Sequence, residues 1–340
     1  MDCMEETDKT YTVWGIGEGV HEAAGLKPML TPDEQVTLLK TKGVTFERCN
    51  EKDAVKALTE RDTFLHIASY RKLFQKHQDG EKAGQYVRLD FADLLDLDKL
   101  DCEVRRTFFM ASSDIERVVK AELVTRISED PSEDGYRIVA DFMMAQTKRY
   151  RNSISKNLEA RASSSENADT YTGELIEHYR SAMPVWVFLE VVPFGTLLAF
   201  LLFCSHRWCD KALIDKHYEL TSVKAVRNCC AHQSCIVNGF TDDNRAAHAA
   251  RYGVMEWLAK NEVGSTKARK AKMRNAEMQQ LVTTLNVLAT IGNQCSFSTR
   301  ESLAQLSEHL SERVKDYGDQ NAFVSFLSFL AKAIDSVTEI

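Results

Sequence analysis

The stretch Phe91 to Ile127, FADLLDLDKLDCEVRRTFFMASSDIERVVKAELVTRI, decides the fold class. Its Leu94, Leu95, Leu97, Leu100, Val104, Phe108, Ile115, Val118, Val119 and Leu123 recur mostly at steps of three or four, and no Gly or Pro intervenes before Pro131. That period belongs to a helix with one apolar face, so the segment predicts one or two long amphipathic helices. Asp101 and Arg105, and Glu116 and Lys120, stand four apart, the spacing of favourable surface pairs that contribute a few tenths of a kcal/mol each.

The flanking sequence keeps the same character. Thr31-Pro32-Asp33-Glu34 carries a cap, a proline at the first helical position and a capping-box glutamate, and Gly43 closes that helix. A second helix begins near Glu51 with Val55 and Leu58 and runs on through Phe64, Leu65 and Ile67 toward Tyr70 and Phe74. Ser163 to Asn167 reads as a loop, and a helix from about Ile214 to His232 has Leu220, Val223, Val226 and Cys230 as its buried stripe, with Asn238-Gly239 as its stop. Three more apolar stripes follow: Leu281, Leu285 and Leu288; Leu303, Leu306, Leu310 and Val314; Phe323, Phe326, Leu327 and Leu330. No segment alternates as a strand would, and five prolines and fifteen glycines in 340 residues are too few for a turn-rich sandwich, so the class is all-α. The divisions read as a leader at 1–27, an N-terminal helical region at 28–90, a core at 91–240 and a helical C-terminal extension at 241–340. Gly15-Ile16-Gly17-Glu18-Gly19 in the leader has the wrong spacing for a GxGxxG phosphate loop.

A net charge of -7 excludes a uniformly basic nucleic-acid coat, so any RNA or DNA contact must be a local patch. Nine cysteines without a CxxC spacing point to reduced thiols and a cytoplasmic setting, and the acidic start, Met1 to Glu6, lacks the features of a signal peptide. Met183 to Cys204 has the length of a membrane span, but Glu190 and Pro193-Phe194-Gly195 in its middle predict two short buried helices or a kinked one.

Arg227-Asn228-Cys229-Cys230-Ala231-His232 is the sharpest local feature. An imidazole that exchanges protons near neutrality and a guanidinium that hydrogen-bonds a phosphorane are the parts of general acid/base attack on a phosphodiester, with Asn228 orienting either group. On one straight helix Arg227 and His232 point about 140° apart, against about 40° for Asn228 and His232. A single site therefore needs a distorted helix end, a wrapping arginine, or two copies of the helix facing each other; the plain alternative is an exposed salt-bridge arginine and a satisfied core or cap histidine. Cys204, His206, Cys209, Cys229, Cys230, His232 and Cys235 also form a set dense in zinc-type ligands, though in no standard spacing. Two basic runs are candidates for RNA phosphates: Lys267, Arg269, Lys270, Lys272 and Arg274, and Lys148, Arg149, Arg151 and Lys156.

Four places resemble one family in order: Leu30 to Gly43; Phe64 to Tyr70, with His66 where arginine is usual; Leu100-Asp101 to Arg105 followed by Ile115-Glu116-Arg117-Val118; and Pro184-Val185-Trp186-Val187, Glu190 and Phe194 to Leu197 ahead of the Arg227 to His232 motif. The chain in this respect is similar to the Abi-like proteins of bacterial abortive infection, of AbiD/AbiF type, within the HEPN superfamily. The resemblance spans roughly residues 28 to 240. It implies a HEPN helical bundle and a metal-independent endoribonuclease without cofactor, cutting RNA through the substrate's own 2′-hydroxyl. Arg227 and His232 would be its catalytic pair, with Asn228 beside them and Glu190 holding one of them. A homodimer around a shared cleft and a controlling antitoxin or non-coding RNA are implied too, as is a silent RNA-binding or scaffold alternative. Gln233, Cys235 and Val237 depart from the family pattern after His232, while Asn238 keeps it.

Overall fold

The computed structural model describes residues 29–317 and 322–338. The leader and its glycines lie outside the described residues. Thr31 caps helix α1 (Pro32–Thr41) through a complete capping box, its N–H donating to Glu34 at 2.7 Å. Gly43 then turns the chain at φ +82°, where a Cβ would meet Gln85 Cβ at 2.8 Å, so both the conformation and the space call for glycine. Two two-residue strands, β1 (Val44–Thr45) and β2 (Leu89–Asp90), pair in parallel, a small departure from a purely helical reading. They are clasped by Asp90, whose carboxylate accepts from the Thr45 hydroxyl and the Glu47 N–H, both at 2.8 Å.

The second helix of the sequence reading is broken. α2 (Glu51–Glu60) ends, the chain extends through Asp62 and Thr63, and Thr63 caps a new short helix, α3 (Phe64–Ser69), that runs into a 3₁₀ turn at Tyr70–Leu73. Two cap signals, at Asn50 and Thr63, lie closer together than one continuous apolar stripe suggests, and Leu65 is consequently exposed.

Phe91 to Ile127 lies within one uninterrupted helix, α4 (Phe91–Glu129), of 39 residues and about 58 Å. Around it follow α5 (Arg137–Ala145), α6 (Lys148–Arg161) and α7 (Gly173–His178), then α8 (Val185–Val191) and α9 (Phe194–Arg207). The break at Val192-Pro193 divides the apolar Met183 to Cys204 stretch as expected, and among the described residues no helix is long and apolar enough to cross a membrane. α10 (Lys211–Ala231) packs against α4, α9 and a later helix, and buries Leu220, Val223, Val226 and Cys230.

Beyond residue 240 come α11 (Tyr252–Lys260), α12 (Thr266–Lys272), α13 (Ala276–Ile291), α14 (Phe297–Tyr317) and α15 (Val324–Thr338). α13 packs on both α4 and α10, α14 packs on α4, and α14 and α15 form an antiparallel-type pair closed against α13. Polar ties reinforce this: Asp114 of α4 accepts from the Ser296 N–H at 2.9 Å and the Thr299 hydroxyl at 2.7 Å, and Asp96 accepts from Tyr317 at 2.8 Å. One buried apolar cluster runs from Val36 to Val337, so the C-terminal helices complete the core that begins at residue 36. Leu285 is fully buried in that shared core. Leu285→Ala is expected to cost about 2–5 kcal/mol and to shift unfolding of the whole chain, followed in urea by both far-ultraviolet circular dichroism and tryptophan fluorescence; a separate early transition for residues 241–340 would contradict the shared core.

Candidate functional site at the end of α10

α10 runs unbroken to Ala231, and His232 is its C-cap, with φ -88° and ψ 7°. The chain then closes a Schellman turn: the Gln233 N–H donates to Cys230 O at 3.2 Å and the Ser234 N–H to Cys229 O at 3.0 Å. Gln233 takes the left-handed conformation, φ +56°, that such a turn demands and that glycine adopts most readily. The helix end is therefore not distorted. His232 is exposed, with no side-chain hydrogen bond among the described residues, while Arg227 is half-buried on another face.

Arg227 is held by two neighbours. Its Nη1 donates to Asn228 Oδ1 at 3.4 Å, and its Nε lies 4.0 Å from Glu116 Oε2 on α4. Glu116 also faces Lys120 at 3.5 Å, so one carboxylate sits between two cations. Glu190 does not take this role. It is exposed and makes no ion pair or hydrogen bond among the described residues, although it borders the same cleft of about 540 Å³ between α4 and α8 as Glu116, Lys120 and Trp186. No bond joins Arg227 to His232, and the two stay on separate faces, as helix geometry requires.

What fixes the segment after His232 is a group read from sequence as a surface pair. Asp101 and Arg105 are buried, not exposed, and form an ion pair inside the protein. The Asp101 carboxylate also accepts from Tyr70 Oη at 2.9 Å and from the N–H groups of Ile236 and Val237 at 3.0 and 2.7 Å. Burial pushes the Asp101 carboxyl above its ordinary range, opposed first by the Val237 N–H and then by the Arg105 charge. Ser69 extends the clasp, donating to Cys235 Sγ at 3.4 Å and accepting from Asn238 Nδ2 at 3.1 Å. His66 joins from α3, with Nε2 at 3.1 Å from Tyr70 Oη and 3.4 Å from Arg105 Nη1. Just beyond, Gly239 lies where a Cβ would fall 2.3 Å from the Glu277 carboxyl carbon, so a larger residue there would push the Glu277 side chain of α13 aside.

The thiol-rich set does not assemble. Among the described residues the side chains close enough to share an ion are His66, Asp101 and Cys235, and Asp62, His66 and Asp98. Only Cys235 comes from the zinc-type set, and Asp101 in that group is already engaged by Tyr70, Arg105 and two backbone N–H groups. Burial pushes Cys204 and Cys230 up to about 12 and Cys229 up to about 11, the behaviour of thiols serving as small core residues.

The basic runs divide. Arg269 donates to the backbone O of Val263 at 3.5 Å and also to that of Gly264, and the Lys272 ammonium lies 3.4 Å from the Phe326 ring centroid, with burial lowering its pKa; both serve the fold. Lys267, Lys270 and Arg274 are exposed. In the second run Lys148, Arg149 and Lys156 are exposed, while Arg151 reaches back to Met143 O at 3.5 Å.

Comparison with known proteins adds one finding: the family model for Abi-like protein matches residues 58–238, more than half of the chain, and the chain belongs to that family. The match includes Asp101, Arg105, Glu116, Glu190, Arg227 and His232, but neither the opening helix nor Lys267 to Arg274. No curated protein and no solved structure matches the chain.

Replacing Asp101 leaves the Arg105 charge and two loop N–H groups without their acceptor. Asp101→Ala is expected to cost about 3–5 kcal/mol, measured as a lower urea midpoint. In the opposite direction, Gln233→Gly relieves left-handed strain and should stabilise by about 1 kcal/mol, read as a rise in melting temperature; a fall would show that Gln233 is under no strain.

Proposed function

We propose that this Abi-like chain is a metal-independent endoribonuclease of HEPN type, acting in phage defence of the abortive-infection or toxin kind within the cytoplasm. The observation that carries the reading is the state of His232: an exposed imidazole that makes no side-chain hydrogen bond among the described residues, on a backbone held from both sides by the Schellman turn and the Asp101 clasp. Such a group is placed to exchange a proton with solvent or substrate without rearrangement of the chain. In this reading the RNA 2′-hydroxyl attacks the adjacent phosphorus, His232 moves the proton as base or acid, and Arg227 stabilises the added negative charge of the phosphorane. The products are a 2′,3′-cyclic phosphate and a 5′-hydroxyl, and no metal enters the balance. Asn228 orients Arg227 through the contact at 3.4 Å, and Glu116 replaces Glu190 as the carboxylate that positions it.

Because one α10 presents Arg227 and His232 on different faces, the active form in this proposal is a homodimer in which the two α10 ends meet. An antitoxin or a non-coding RNA would restrain it. The same separation within one chain favours a second reading, a catalytically silent RNA-binding or scaffold protein, if no such dimer forms.

Two measurements test the proposal. Purified protein freed of any inhibitor should cut RNA in EDTA, and Arg227→Ala and His232→Ala should each lower the rate about 100-fold or more. Loss of cutting in EDTA, or full activity in either variant, overturns it, and tight binding without cutting supports the silent reading. RNA contact is tested at α6, whose first turn carries Lys148, Arg149 and Arg151 against the positive end of the helix dipole and holds no acidic residue. Lys148→Glu with Arg149→Glu should therefore raise the melting temperature while weakening RNA binding at low salt; unchanged binding would remove this patch from the interface.

A further inference from the structure

Two exposed members of the Lys267 to Arg274 run belong to a cleft rather than to an open face. Lys270 and Arg274 line a cavity of about 440 Å³ together with Arg245 and His248, over a floor that includes Met255 and Met273. No acidic side chain lines it. Among the described residues none of these four basic side chains makes an ion pair or a side-chain hydrogen bond, in a protein whose net charge is -7. The contrast with their neighbours is sharp: Arg251 is committed to Asp215 at 2.9 Å, and Arg269 and Lys272 to the fold.

The cleft is also built before any ligand arrives. The Ala246 N–H donates to Arg274 O at 2.8 Å and the Ala276 N–H to Asn244 O at 3.3 Å, so the loop is pinned on both sides of Arg245, opposite Asn275. Gln279 Nε2 donates to His248 O and to Met273 O, each at 3.1 Å, tying the far end of the loop to the floor. Asn275, buried beneath, holds Thr241 O at 2.9 Å. Two arginines, a lysine and an imidazole are thus gathered on a fixed scaffold around one cleft that no acidic side chain lines. Like charges gathered in this way repel one another, and an oxyanion in the cleft relieves the repulsion while gaining charge-assisted hydrogen bonds.

We infer that the cleft formed by Arg245, His248, Lys270 and Arg274 is a binding site for phosphate groups of a nucleotide or oligoribonucleotide. Arginine supplies the fork that matches two phosphate oxygens, lysine a compact point charge, and the volume suits a nucleotide-sized ligand. The methionine floor gives a ribose or base an apolar surface to lie against. The site is distinct from the α10 end and from the α6 patch, takes Lys270 and Arg274 from the basic run at Lys267 to Arg274, and does not depend on strand cleavage.

The test uses the full chain at low salt, with a short labelled oligoribonucleotide followed by fluorescence anisotropy and with ATP followed by calorimetry. Wild-type protein should bind at least one of them, inorganic pyrophosphate should compete, and both Arg245→Gln with Arg274→Gln and, separately, Lys270→Gln should weaken binding about tenfold or more. Lys211→Gln, an exposed lysine elsewhere, should have no effect, and circular dichroism melts establish that each variant is folded. Binding of the oligoribonucleotide alone makes the source an RNA backbone; binding of ATP makes it a free nucleotide. The inference falls if wild type binds neither probe, or if folded cleft variants bind as wild type does. If RNA binding survives in the cleft variants but is lost in Lys148→Glu with Arg149→Glu, this inference falls while the RNA reading stands.

Discussion

The carboxylate of Asp101 is the constraint on which the rest of the structure depends. It lies wholly out of water, and a lone charge there would be strongly unfavourable. Its partners make the arrangement tenable: Arg105 one helical turn away, the Tyr70 hydroxyl, and the N–H groups of Ile236 and Val237. These come from three separate parts of the chain, so satisfying one buried charge fastens α4, the end of α3 and the loop after α10 at a single point. A buried ion pair of this kind is poor evidence for net stability, because its desolvation can cancel its attraction. What the pair does visibly is position the 236–237 backbone, both of whose N–H groups bind the Asp101 carboxylate.

Two consequences follow for the end of α10. The helix terminates by its own local chemistry, the Schellman turn at Gln233, and the following residues are held by the Asp101 clasp, so His232 stands exposed between two fixed points. Arg227, one and a half turns earlier, faces α4 and meets Glu116. The helical geometry that keeps the pair apart in one chain is what makes a second copy necessary to the proposed chemistry. Cations elsewhere divide too: Arg269 and Lys272 turn inward onto carbonyls and an aromatic face, whereas Arg245, Lys270 and Arg274 line a cleft and make no ion pair among the described residues.

Much of this was legible in the residues. The apolar period of α4, the capping box at Thr31, the break at Pro193 and the buried stripes of α10, α13, α14 and α15 all depend on local rules, and each appears in the structure. The burial of Asp101 also left a mark. Leu94, Leu97, Val104, Phe108, Ala111 and Ile115 follow a three-four alternation in which position 101 falls on the core side, so an aspartate there interrupts an apolar stripe rather than joining a polar face. The four-residue spacing to Arg105 suits a surface pair and an interior pair equally, and spacing alone was a poor guide. Glu116 shows the same limit from the other side: its spacing to Lys120 is visible, but its approach to Arg227 joins residues more than a hundred positions apart.

By itself, then, the sequence determined the helical class, the start of α1, the run of α4 and the family motifs, because each rests on interactions within a few residues. Only the tertiary structure decided which carboxylate faces Arg227, that the helices beyond residue 240 complete the same core, and that Arg245 and His248 meet Lys270 and Arg274 around one cleft. Those outcomes depend on packing between distant segments, where a residue's role is set by what burial brings against it and not by its neighbours in the chain.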